Sequence, residues 1–145
     1  MQVFIVGSVA ETAQALDLRR MRKQVIECRQ IIDAIDGTGK GWFNHPIVEM
    51  YREHKDWLRC YMWFLDEYLN DNCDFVMLSW FNKRCEDLRP SFHTKQFFDQ
   101  MKRRLFTKDC DCYKQWAHLG ADFDNWYWSP SENKFIKYRN GKRIE

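Results

Sequence analysis

Leu18, Met21, Val25, Cys28, Ile32 and Ile35 fall at alternating steps of three and four, the spacing of an apolar stripe along one side of an α-helix. The same stretch carries Arg20, Lys23, Gln24 and Glu27, which at ~100° per residue gather on the face opposite the stripe. Glu27 is therefore a single carboxylate on a basic helix face. Upstream, the apolar run from Val3 to Val6 ends at Gly7-Ser8 and fits a brief strand or an ordered N-terminal arm. Ser8 or Thr12 can cap a helix that starts near Ala10 and runs through Leu16 and Leu18 into the central stripe. The segment Asp36-Gly37-Thr38-Gly39-Lys40-Gly41 closes it, as a glycine-rich loop does.

Downstream, Ile47, Met50, Tyr51, His54, Trp57, Leu58, Tyr61, Phe64, Leu65 and Tyr68 keep a helical period over a wide arc. This predicts a long, central, buried helix over 46–69. Pro46 suits its first turn, and Asn44 or His45 its cap. The apolar segment 75–81 reads as helix, with a strand as the alternative. A helix capped by Ser91 is predicted through Phe97 and Phe98 to Leu105, and a short one over 110–116. From Gly120 the chain reads as irregular and aromatic. Phe135 to Tyr138 and Asn140-Gly141 read as an extended tail with a turn. The prediction is all-α: one compact helical domain over 1–145, with a basic tail at 131–145. Repeats, low-complexity segments and linkers are absent.

Composition changes this picture in two places. Aromatic residues make up 17% of the 145, with seven Trp, enough that some could stack or wedge rather than pack. The net charge is only +2, but the basic residues cluster. Arg19, Arg20, Arg22, Lys23 and Arg29 surround one acid, Glu27, and Lys102-Arg103-Arg104 and the tail are also basic. A basic face on a near-neutral chain points to a polyanionic partner. The bland alternative is a solvated helix face with a Lys23–Glu27 pair worth a few tenths of a kcal/mol. No apolar run approaches the ~20 residues that span a bilayer, and no signal peptide is visible. Six cysteines without an export signal fit reduced thiols in a cytosol.

Several chemistries lack their signatures. The glycines near 37–41 do not make the GxxxxGK[ST] phosphate loop. Cys110, Cys112 and His118 lack the paired spacing of structural zinc sites, so no metal or cofactor is expected. No Cys has an adjacent His to activate it. Asn44-His45, at a loop-to-helix junction, reads either as a cap with a satisfied histidine or as a contact to phosphate or base.

The strings Leu16-Asp17…Arg20…Lys23-Gln24…Glu27, Gly41-Trp42-Phe43-Asn44-His45-Pro46, Leu105…Lys108-Asp109…Tyr113 and Tyr127-Trp128-Ser129-Pro130 occur in this order. Together they resemble the bacterial and phage family of pyrimidine-dimer DNA glycosylases, relatives of phage endonuclease V, over most of the chain to about residue 130. The resemblance implies an all-α glycosylase with AP-lyase activity on double-stranded DNA, acting as a monomer. In endonuclease V the N-terminal α-amine attacks C1′ of the damaged nucleotide's sugar, and a glutamate on the first long helix assists. That glutamate maps to Glu27. The nucleophile maps to the start of the chain, where a bulky Gln2 follows Met1, leaving the α-amine of Met1 or a lysine as candidates. By the same resemblance Arg19, Arg20, Arg22, Lys23, Gln24, Asn44, His45, Arg103, Arg104 and Lys108 are candidate DNA contacts, and Trp128 a stacking or wedging ring. Two readings without catalysis remain open on the residues: a DNA-binding or phage-associated structural protein using the same basic face, and a helical interaction domain.

Overall fold

A computed structural model describes residues 1–39 and 41–144; Lys40, in the glycine-rich loop, lies outside the described residues. The chain begins with an extended arm, and Val3, Phe4, Ile5 and Val6 are all buried. The arm ends where Ser8 caps α1 (Val9–Ala15) in a reciprocal capping box with Glu11, satisfying two otherwise orphaned amides. The run of helix expected from Ala10 through Leu18 is broken at Leu16 and Asp17, both extended. Asp17 caps α2 (Leu18–Asp36) by accepting from the Arg20 N–H, and Gly37 closes α2 in the left-handed conformation, φ 74°.

The helix predicted over 46–69 is two helices. His45 caps α3 (Pro46–Tyr51), a 3-10 turn follows over Arg52–His54, and α4 (Lys55–Leu69) resumes. The turn keeps the side-chain period nearly in step, so an apolar pattern alone does not reveal it. Helix α4 is the central one: it packs on α2 and on α5 (Phe75–Asp87). Asp74 caps α5, and Thr94, not Ser91, caps α6 (Lys95–Lys108). The short helix expected over 110–116 is a 3-10 turn over Lys114–Leu119.

The chief correction concerns the C-terminal segment. Instead of an irregular stretch followed by an extended tail with a turn, β1 (Asn125–Ser129), β2 (Lys134–Arg139) and β3 (Lys142–Arg143) form an antiparallel sheet in that order. Tyr127 pairs with Ile136 and Tyr138 with Arg143. The fold is thus mainly helical with one small sheet, rather than all-α. The sheet docks through β1 on α3 and α6. Tyr127 and Ile136 point into the protein, one from each paired strand, as the two-residue period of a half-covered sheet requires. Among the described residues no helix is long and apolar enough to cross a membrane.

Candidate active site

The arm is extended but belongs to no sheet, so its buried backbone groups need partners elsewhere. Side chains supply them. The Gln24 amide acts as a surrogate strand: its Oε1 accepts from the Phe4 N–H at 2.7 Å and its Nε2 donates to the Gln2 carbonyl at 2.8 Å. The Tyr61 hydroxyl donates to the Phe4 carbonyl, and the Thr12 Oγ1 accepts from the Val6 N–H at 3.0 Å. At the start of the arm, the Gln2 N–H points to Glu27 Oε2 at 3.3 Å, and the Tyr127 hydroxyl donates to the Met1 carbonyl at 2.9 Å. The first residue is fixed between a carboxylate of α2 and a phenol of β1.

Gln24 therefore does not belong to an outward basic face. It is buried, and both ends of its amide serve the arm. The buried side of α2 runs through Met21, Gln24, Cys28 and Ile31, while Leu18 is 57% exposed. The true apolar stripe is rotated from the one read in the sequence, and this rotation carries Glu27 to the edge of the packed face. The Glu27 side chain keeps only 12% of its surface, with Lys23 Nζ 3.6 Å from its Oε1.

Around Met1 opens a cavity of about 330 Å3. Its lining holds five cations, Arg19, Arg20, Lys23, Arg104 and Lys108, and one carboxylate, Glu27. Burial first, then the positive charges of Lys108, Lys23 and Arg104, push the Met1 α-amine below its ordinary value; Glu27 opposes them. A second amine shares the cavity. Lys108, the last residue of α6, is exposed along much of its length. Partial shielding of its amine, then Arg104, Lys23 and Arg20, also lower its pKa. Gln2 is buried to 5% exposure with no partner for either amide atom, and Asn125 Oδ1 and Arg104 Nε are likewise buried and unpartnered among the described residues. Buried polar groups are normally paired, and all three of these residues line the cavity.

The remaining candidates divide. Arg20 lines the cavity but is braced: its guanidinium reaches Asp17 at 3.0 Å and Asp109 at 3.5 Å and lies over the Tyr113 ring. Tyr113 in turn donates to Asp17. Arg104 donates to the Asp122 carbonyl at 2.9 Å and Arg103 to the Leu119 carbonyl at 3.0 Å. Arg104 lines the cavity and Arg103 does not. Arg19, Arg22 and Lys23 are exposed; Arg22 lies outside the lining. Asn44 and Trp128 line, with Tyr127, a second cavity of about 210 Å3. Trp128 is not a free wedge. It stacks on Phe92 at 5.8 Å and meets Phe135 edge-on at 5.1 Å.

His45 accepts from the Ile47 N–H through Nδ1 at 3.1 Å, as a cap. Its ring meets Tyr127 edge-on at 5.3 Å. Burial and the nearby N-terminal charge pull its pKa down to about 4, so it is neutral at physiological pH. The sequence reading assigned no role to Tyr127 or Asn125, and took Gln2 only as the bulky neighbour of Met1. Tyr127 lay in plain view within the Tyr127-Trp128-Ser129-Pro130 string, but only the strand pairing shows which of those rings turns inward.

A family model described as pyrimidine dimer DNA glycosylase matches residues 1–71. Over those residues the chain carries this family's sequence pattern. The glycosylase pattern covers the arm, α2 with Gln24 and Glu27, and the Trp42–Pro46 string, and ends at the close of α4. Lys108, Arg104 and Asn125, which complete the cavity, and Tyr127, which bonds the Met1 carbonyl, lie beyond it. No curated protein and no solved structure matches the chain.

Proposed function

We propose that the protein is a pyrimidine-dimer DNA glycosylase that also cleaves the resulting abasic strand, with the α-amine of Met1 as nucleophile. The observation that carries this reading is the convergence on Met1: an amine of lowered pKa, held by hydrogen bonds on both sides of its first peptide, in a cationic cavity containing one carboxylate.

The chemistry follows from those groups. A lowered pKa leaves a larger neutral fraction of the amine at pH 7. The neutral amine attacks C1′ of the damaged nucleotide. The glycosidic bond breaks, its electron pair leaves with the base, and the base takes up a proton. The bound nitrogen loses a proton, the C1′–O4′ bond breaks with its electron pair on O4′, which takes up a proton, and a protonated imine joins Met1 to C1′. Removal of a C2′ proton then expels the 3′ phosphate by β-elimination, and water releases the enzyme from the sugar fragment. Glu27, beside the first peptide, stabilises the cationic sugar and imine and carries the protons. Arg19, Lys23, Arg104 and Lys108 hold the flanking phosphates of duplex DNA; such contacts position the strand without reading its sequence.

Glu27→Gln tests the assignment. It keeps the side-chain shape and is expected to leave DNA affinity within about two-fold, while single-turnover strand cleavage falls by about a hundred-fold or more, the usual scale for lost acid–base catalysis. Cleavage at the wild-type rate would reduce Glu27 to a surface residue. Binding without cleavage by the wild-type protein would favour the non-enzymatic DNA-binding reading.

A further inference from the structure

Trp42 and Phe43 are large aromatic side chains that the fold leaves open, each 46% exposed. They stand where the glycine-rich loop meets α3. The His45 N–H bonds back to the Trp42 carbonyl at 3.0 Å, closing a turn with Phe43 and Asn44 at its tip. Trp42 itself sits in the left-handed region at φ 64°, where a bulky residue is an outlier held only by its surroundings. Gly41 before it, at φ 94°, has open space around it.

The turn is tied to the cavity that holds Met1. The Trp42 ring meets His45 edge-on at 5.5 Å, His45 meets Tyr127 at 5.3 Å, and the Tyr127 hydroxyl bonds the Met1 carbonyl. His45 is pinned by its own cap bond to Ile47. The exposed Trp42 ring is thus linked through His45 and Tyr127 to the first residue, with the exposed Phe43 next to it at the tip of the turn. This arrangement differs from that of Trp128, whose faces are taken by Phe92 and Phe135. An exposed ring offers a face to any nucleobase, and stacking tolerates any sequence. Apolar side chains inserted at a base step unstack it.

We propose that Trp42 and Phe43 form an aromatic wedge that enters the base stack of duplex DNA beside the damaged nucleotide and fills the space that nucleotide leaves as it moves toward Met1. The wedge rests on the glycosylase reading above and adds to it the element that opens the duplex. It acts on double-stranded substrate only, because a single strand needs no unstacking.

The test uses the full-length protein and duplex DNA carrying a tetrahydrofuran abasic-site analogue with 2-aminopurine at the neighbouring position. Wild-type protein is expected to raise the 2-aminopurine fluorescence as that base unstacks. Trp42→Ala/Phe43→Ala is expected to lose most of the rise and to slow cleavage of a dimer-containing duplex roughly ten-fold or more, the scale of one or two lost base–aromatic contacts. Borohydride trapping on a single-stranded abasic oligonucleotide should stay within about two-fold of wild type, since the reacting groups are untouched. Phe43→Ala alone keeps the Trp42–His45 contact and is expected to show an intermediate loss. A double variant that unstacks and cleaves the duplex as wild type does would overturn the wedge, with trapping intact. Failure of the wild-type protein to trap on either substrate would sink the glycosylase reading itself, and the wedge with it.

Discussion

Two stretches of extended chain meet at Met1, and they are held in opposite ways. The sheet of β1, β2 and β3 satisfies its backbone by strand pairing and leaves most of its side chains half-buried or exposed. The arm over residues 2–6 is buried throughout, and side chains reaching from helices satisfy its backbone: Gln24, Tyr61, Thr12 and Glu27. A paired strand can slip in register by two residues and keep the same face inward. The arm cannot, because the Gln2 and Phe4 backbone groups and the Val6 N–H each answer to one particular side chain. The difference teaches where positional precision is built: the element that places the Met1 α-amine is the one anchored point by point. The sheet contributes a single anchor, the Tyr127 hydroxyl on the Met1 carbonyl.

The largest effect should come from removing the surrogate strand. Gln24→Ala leaves the Gln2 carbonyl and the Phe4 N–H buried without partners, which costs about 2–4 kcal/mol. Denaturant unfolding should register that loss, and imine formation should fall with it as the arm loosens. A stability within about 0.5 kcal/mol of wild type would mean the arm is held by its apolar side chains alone. Next in size is the sheet's one anchor. Tyr127→Phe removes a single neutral hydrogen bond, worth about 1 kcal/mol. The ring keeps its contact with His45, so global stability should change little while the rate of imine formation drops roughly ten-fold. DNA affinity should be unchanged. An equal loss in affinity and rate would instead make Tyr127 a substrate contact.

The smallest effect concerns charge. Lys108 depresses the Met1 amine and Glu27 raises it. Lys108→Met removes a depressing charge, so the amine pKa rises and the acid limb of the pH–rate profile moves to higher pH. A shift to lower pH, or outright loss of the reaction, would show that Lys108 has the larger chemical role and that the anchored arm is incidental.

The sequence made some of this legible. Val3 to Val6 read as a strand or an ordered arm, and the arm is what forms. Ser8 was one of two caps the sequence offered, with Thr12, and Ser8 is the one that forms. Glu27 stood out as a lone acid among bases. Gln24 was misread because a polar side chain in a helical pattern is assigned to solvent. The corrective signal was Ile31, which together with Met21 and Cys28 puts Gln24 in the middle of the buried side. The Arg52–His54 turn was hidden because a brief 3-10 segment hardly disturbs an apolar period. Asn140-Gly141 was seen as a turn, and both residues do adopt positive φ, 51° and 76°. Such a pair is a strong hairpin signal and joins β2 to β3, but β1 was not recognised as a strand because its aromatic residues fill both faces. The meeting of Lys108, Arg104 and Tyr127 with Met1 depends on contacts spanning more than a hundred residues, and local pattern carries no trace of such contacts.

The central claim is that the reacting amine belongs to the anchored arm. Borohydride reduction during reaction with duplex DNA containing an abasic site, followed by peptide mapping of the adduct, addresses it directly. The account predicts a covalent adduct on the α-amine of Met1, retained when Lys108 is replaced by Met. An adduct on Lys108 with Met1 unmodified, or no adduct while DNA binding is intact, would contradict it.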